Sequence, residues 1–135
     1  MIKIIIADDH TEVRKAWALF LAGQKNIEVI ALCADGEEVI EVVPTHQPDI
    51  ILMDINMKHT SGIVATQHIT SKYPAVKVIG VSFQNSPVYI KKMMDAGAKG
   101  YIVKHNVADE LINAINEVYN GHTYLDKEAR LALKK

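Results

Sequence analysis

Short runs of β-branched and other apolar residues alternate along the chain with longer stretches in which apolar positions recur every three or four residues. The runs are Ile2 to Ala7, Ile27 to Cys33, Asp49 to Met53, Val76 to Ser82 and Gly100 to Val103. Continuous apolar character over so few residues predicts strands buried on both faces. Helical spacing between them predicts crossover helices, the pattern of βαβ units in a parallel sheet. Between the first two runs Val13, Trp17, Phe20 and Leu21 form one stripe facing the sheet, stopped near Gly23. Gly36 opens a helix over Glu37 to Val43 that Pro44 ends, because proline brings no N–H to the helical ladder. Gly62 precedes a helix over Ile63 to Tyr73, ended by Pro74, and Ser86-Pro87 starts one over Val88 to Ala96, ended by Gly97. Asn106 caps Val107 to Tyr119, whose apolar face is Leu111, Ile112, Ile115, Val118 and Tyr119. After a turn at Asn120, Gly121 and His122, the segment Asp126 to Lys135 reads as a polar, solvated helix or the start of a linker. The expectation is one (βα)5 domain over 1–121, followed by 122–135 as linker or extra helix, with no second domain.

Composition narrows the function classes without naming one. A chain of 135 residues suits a single domain able to bury roughly two thirds of the surface its unfolded form exposes. A net charge of −1 gives no basic field for nucleic acid. The single cysteine, Cys33, excludes an internal disulfide, fits a reducing compartment and reads as a small core residue in a strand. Met1-Ile2-Lys3 has no signal-peptide organisation, and no apolar run approaches the roughly 18 residues of a membrane helix. A soluble, cytoplasmic protein with no membrane partner is expected.

The chemistry concentrates where the apolar runs stop. Asp8 and Asp9 close the first run, Asp54 the third, Ser82 the fourth and Lys104 the fifth. Parallel strands bring such ends to one edge, where open α/β folds place their ligands. Two carboxylates about 4 Å apart repel by roughly 4 kcal/mol at an effective dielectric near 20, so three ionised ones call for a cation. Mg²⁺ takes oxygen ligands and keeps open positions for a phosphate. Asp8, Asp9 and Asp54 supply the acids, and the backbone carbonyl of Asn56 a neutral oxygen. With metal bound, Asp54 is the best placed nucleophile for an acyl phosphate, Lys104 a counter-charge and Ser82 a hydrogen-bond donor to the phosphoryl oxygens. Any one of these residues alone would read as a turn, a cap or a solvated charge; four roles at one end of four strands would not.

The stretches Ile4-Ile5-Ile6-Ala7-Asp8-Asp9-His10, Asp49 to Met57 with Gly62 after it, Val78-Ile79-Gly80-Val81-Ser82, and Asp95 to Lys104 together resemble the receiver domain of bacterial two-component response regulators, over about residues 2 to 121. The resemblance implies a doubly wound, flavodoxin- and CheY-like sheet of five strands in the order 2-1-3-4-5. It implies that Asp54 is phosphorylated by a sensor histidine kinase, that Asp8 and Asp9 hold Mg²⁺, and that Ser82 and Lys104 bind the phosphoryl group. Tyr101 becomes the switch aromatic, turning inward as Ser82 moves to meet the phosphoryl charge. Asp8-Asp9-His10 with Val13-Arg14, the run Ala98 to Lys104, and Glu117 to Gly121 with Tyr124-Leu125 look like the NarL and LuxR-type subfamily. There a receiver precedes a helix-turn-helix domain, so regulation of transcription, DNA contact through that domain alone and a homodimer on phosphorylation are implied. The protein would be no enzyme beyond its own phosphorylation and dephosphorylation.

Three positions depart from the family pattern. Lys58 replaces a usual proline, His105 follows Lys104 where many receivers have proline, and Phe83 stands after Ser82 where a small residue is usual. Phe83 and Lys58 are therefore expected to modify access to the site, Phe83 slowing phosphotransfer and hydrolysis. Two functional alternatives stay open: a degenerate receiver that signals by binding alone, and an aspartate-based Mg²⁺ phosphatase, which would want an acid where Asn56 stands. A flavodoxin-type module is disfavoured because Asp8-Asp9-His10 would repel a phosphate. The six histidines show no paired metal-ligand spacing, and Met93-Met94 read as core filling.

Overall fold

Residues 1–103 and 107–134 are described by the computed structural model, apart from the side chains at 107 and 109. Six strands, β1 (Ile2–Ala7), β2 (Ile27–Cys33), β3 (Ile50–Met53), β4 (Lys77–Ser82), β5 (Gly100–Val103) and β6 (Tyr124–Leu125), alternate with helices α1 (Thr11–Ala22), α2 (Gly36–His46), α3 (Gly62–Lys72), α4 (Pro87–Asp95), α5 (Val107–Tyr119) and α6 (Lys127–Leu133). The sheet order is β2-β1-β3-β4-β5-β6, with every pairing parallel. The expected order of the first five strands is met and a sixth is added.

The period of two along each strand splits the core between the two faces. Ile5, Ala7, Ile51, Met53, Val78 and Tyr101 point to the side covered by α2, α3, α4 and α6. Ile4, Ile6, Leu52, Ile79, Val81 and Ile102 point to the other side, under α1 and α5. Leu21 is the only fully buried residue of the α1 stripe, with Val13 and Trp17 half-buried and Phe20 exposed. On the β1–β2 seam the register slips between Ile4 and Ile5: Ile4 faces Val29 while Ile5 faces Ala31, so β2 bulges at Ile30.

Two sequence expectations need correction. Pro44 does not end α2, which runs on to His46. The proline stands in the final turn, where only one ladder bond is lost, and Gln47 closes the helix with a left-handed φ of 48° and its N–H on the Val43 carbonyl at 2.9 Å. The extra helix expected at the C-terminus is present as α6, but it is docked on one side rather than solvated all round. Tyr124 and Leu125 pair with Gly100 and Tyr101, and Ala129 is fully buried against the same core as Ile90 and Met93 of α4. The cap expected from Asn106 lies outside the described residues.

Candidate functional site

Backbone pairing, before any side chain is considered, sets the acids side by side. Ala7 stands opposite Met53, and Met53 opposite Gly80, so β1, β3 and β4 end at one edge. The Asp8 N–H then donates to the Cys33 carbonyl at 3.0 Å and the Asp54 N–H to the Ala7 carbonyl at 2.9 Å, extending both ladders by one residue. Asp8 is fully buried and Asp54 nearly so. Arg14, one turn into α1, donates its guanidinium to the Asp8 carbonyl at 2.6 Å and fixes the loop between β1 and α1.

One side-chain atom from each of Asp8, Asp9, His10 and Asp54 lies within 4.8 Å of the others. The Asp8 carboxylate accepts the His10 backbone N–H at 2.8 Å, and His10 Nδ1 lies 3.0 Å from Asp8 and 3.1 Å from Asp9. The Asp9 oxygen beside the His10 ring, Oδ1, is a buried atom. Three carboxylates drawn this close repel one another, so their oxygens fit a hard divalent ion.

The loop after β3 folds back over Asp54 because Gly62 lets it. The Gly62 N–H donates to the Ile55 carbonyl at 2.7 Å, and a Cβ at Gly62 would stand 1.9 Å from the Asp54 carbonyl oxygen. Within this loop Asn56 and Lys58 are exposed, the Thr60 N–H bonds the Lys58 carbonyl at 2.8 Å, and His59 takes a left-handed φ of 67°.

Beyond β4, the buried Ser82 hydroxyl accepts the Gln84 N–H at 3.1 Å, and the Tyr101 hydroxyl donates to the Gln84 carbonyl at 2.6 Å. Tyr101 is fully enclosed: the inward position expected on phosphorylation is already occupied in this structure. Gly80 provides the space, since a Cβ there would sit 3.0 Å from the Tyr101 ring. Burial pushes the Tyr101 phenol well above its ordinary range, opposed by hydrogen bonding with Ser82. Phe83 stands 61% exposed at the rim beside Ser82. Ser82 faces Val103 in register, and β5 ends there; Lys104 and His105 lie outside the described residues.

Two further residues were not singled out by the sequence. His10, set aside with the other histidines, enters the acidic cluster because it directly follows two of its members. Asp126 is buried: one oxygen accepts the Val103 N–H at 2.8 Å and the other caps α6 through the Ala129 N–H at 2.8 Å. Burial pushes its carboxyl up, partly offset by these two backbone bonds. An aspartate before a helical stretch signals the cap but not the tie to β5. No helix among the described residues is long and apolar enough to cross a membrane.

Comparison with known proteins agrees with this arrangement. The family model described as response regulator receiver domain matches residues 4–116. Oxygen regulatory protein NreC of Staphylococcus epidermidis (strain ATCC 12228) is 38% identical over 132 residues, covering 97% of this chain and 61% of that protein. The NreC of Staphylococcus aureus (strain JH9) is likewise 38% identical over 97% of this chain, which therefore spans less than two thirds of these relatives' length. Among solved structures, a LuxR-family two-component response regulator from Aurantimonas sp. SI85-9A1 superposes with a TM-score of 0.94 at 26% identity, over 98% of this chain and 94% of that one. The isolated receiver domain of RcsB from Salmonella enterica serovar Typhimurium shares the fold with a TM-score of 0.89 at 21% identity, over 98% of both chains. The chain belongs to the response regulator receiver domain family.

Proposed function

We propose that Asp54 accepts a phosphoryl group from a sensor histidine kinase and that residues 1–121 thereby switch a helix-turn-helix output domain that regulates transcription. The observation behind the assignment of Asp54 is the convergence of Asp8, Asp9 and Asp54 at one sheet edge. Asp8, Asp9, Asp54 and the Asn56 carbonyl would hold Mg²⁺, which when bound neutralises charge on the transferring oxygens. An Asp54 carboxylate oxygen attacks phosphorus, the bond from phosphorus to the donor's imidazole nitrogen breaks, and an acyl phosphate forms. Ser82 donates its O–H to one phosphoryl oxygen, and Lys104 supplies an ammonium to another. Lys58 and Phe83, exposed around the rim, modify access. The domain works in the cytoplasm, reaches DNA only through its output domain, dimerises on phosphorylation, and catalyses no reaction beyond its own phosphorylation and dephosphorylation.

Phosphorylation adds about two negative charges beside Ser82. Ser82 turns toward them and loosens its bond from the Gln84 N–H, and Gln84 is the residue whose carbonyl holds Tyr101. Inversion of a two-state equilibrium from 1:99 to 99:1 needs roughly 5.5 kcal/mol of differential binding. Charge-assisted contacts from Ser82, Lys104 and the metal are of that order together.

Intact mass after incubation with acetyl phosphate and Mg²⁺, beside Asp54→Ala, tests the assignment. The expected result is a gain of one phosphoryl group that the variant lacks. Labelling retained in the variant removes Asp54 from the role. Failure of the wild type to label, before and after Phe83→Ala, favours a receiver that signals by binding alone.

A further inference from the structure

We propose that β6 and α6 form a strap that keeps the Tyr101 ring inward with no phosphoryl group present, so that the docking of α6 sets where Tyr101 sits. The proposal concerns the unphosphorylated domain and stands apart from the assignment of Asp54.

Three surfaces close around the ring. It lies over Gly80 of β4, where the Met93 methyl of α4 also reaches, so β4 and α4 shut two of its sides. The sheet order decides what shuts the third. Beyond β5 comes β6, and Tyr101 stands opposite Leu125 in register. Ala129 of α6 is fully buried in the same core as Tyr101, Ile90 and Met93, so α6 lies on the face of the sheet that carries the ring. A ring swinging away from Gly80 toward the border of the sheet therefore meets Leu125 and α6, and that path opens when α6 leaves.

The strap is fixed at its root and light along its length. The Asp126 N–H donates to the Tyr101 carbonyl at 3.1 Å, and the Asp126 carboxylate accepts the Val103 and Ala129 N–H groups, each at 2.8 Å, so the root is tied to the strand that carries the ring. The loop that holds the Tyr101 hydroxyl is tied to it as well, through the Asn85 side-chain amide donating to Glu128 at 3.1 Å. Further along, Leu131 is exposed, and an open groove of about 480 Å³ lies between Pro87 at the start of α4 and Glu128 and Leu131 of α6. Ala129 is the one fully buried residue of the helix. An element with so little apolar burial opens before the rest of the domain does. Coupling of this kind runs both ways: whatever lifts α6 frees the ring, and whatever draws the ring out loosens α6 by the same factor.

Fluorine spectra of the full chain carrying 3-fluorotyrosine, with no phosphodonor and no Mg²⁺, test the strap. The chain has five tyrosines, and the Tyr101 line is the one missing from Tyr101→Phe. Broadening by a soluble gadolinium chelate reads exposure of the ring, and amide exchange across α6 reads its docking. Ala129→Glu puts a charge into the buried contact of α6, Asp126→Asn keeps the size of the root and weakens its bonds, and Lys127→Ala alters the exposed face alone. The Tyr101 line should stay sharp in wild type and Lys127→Ala, and its broadening should rise about tenfold in Ala129→Glu and about threefold in Asp126→Asn, in step with lost protection of α6. A Tyr101 line that stays shielded while α6 loses protection overturns the proposal. So does a wild-type ring already open to the chelate, equal broadening in Lys127→Ala, or protection of α6 retained in both of the other variants. Should Ala129→Glu unfold the whole domain, seen as collapse of all five lines together, Asp126→Asn decides by the same criteria.

Discussion

Gly80 matters for what it lacks. In the middle of an apolar strand a glycine reads as a weak β-former, and nothing in the sequence says that the missing methyl is where the Tyr101 ring lies. In Gly80→Ala the new Cβ would meet the Tyr101 ring at 3.0 Å and the Met93 methyl at 3.2 Å. Both are side-chain atoms, so they shift rather than forbid the fold, at a cost of about 1–3 kcal/mol. The variant should unfold at lower urea concentration and show Tyr101 more accessible to solvent; a native-like midpoint would mean that the pocket has slack. Phe83 tests the opposite situation, a large residue where a small one is usual. Phe83→Ala should raise the rates of phosphorylation by acetyl phosphate and of dephosphorylation several-fold, and if both rates stay unchanged the ring does not gate access. The acids were legible as residues because each ends a run of apolar positions. The turn of the His10 ring toward Asp8 and Asp9 was not, since it depends on distances that only the folded loop sets.

At the scale of elements, α6 shows how a polar sequence can hide a docked helix. Its apolar positions are two alanines and two leucines, of which Ala129 alone is fully buried, and the anchoring residue is the charged N-cap Asp126. Asp126 ties the end of β5, beside the edge that carries the acids, to the first turn of the helix that covers α4. Asp126→Ala removes the cap and leaves the buried Val103 N–H without an acceptor, a loss of about 2 kcal/mol or more, read as faster amide exchange at Val103 and Ala129. The pH dependence has a definite sign. A carboxyl raised by burial binds its proton more tightly folded than unfolded, so its contribution is greatest below the ordinary carboxylate range and is lost as pH rises through the raised value. The stability of wild type relative to Asp126→Ala, from urea midpoints, should therefore grow as pH is lowered from neutral toward the ordinary carboxylate range; a flat difference would count against the raised carboxyl. Strand positions were legible because parallel buried strands are continuously apolar. The end of α2 was misread because proline excludes helix in the interior more strictly than in a last turn.

For the whole molecule, the topology assembles the site: order 2-1-3-4-5 places the ends of β1, β3 and β4 together, and the sequence showed the acids at those ends without showing how close they come. β6 escaped notice because two residues give no periodicity to read. Removal of residues 122–135 should uncover the edge of β5 and the apolar face of α4 together. The truncated chain is expected to lose stability and to self-associate, visible as a concentration-dependent mass in light scattering; a stable monomer would show that the segment is dispensable for folding. The bulge at Ile30 has a wider effect. The sheet is bordered on one side by a strand kinked out of register and on the other by a strand of two residues, so neither border presents a long, flat row of amide and carbonyl groups to another chain. Strand addition is thereby discouraged at both borders, and recognition of this domain by its partners falls to side chains on helices and loops, which can differ between closely related regulators that share one backbone.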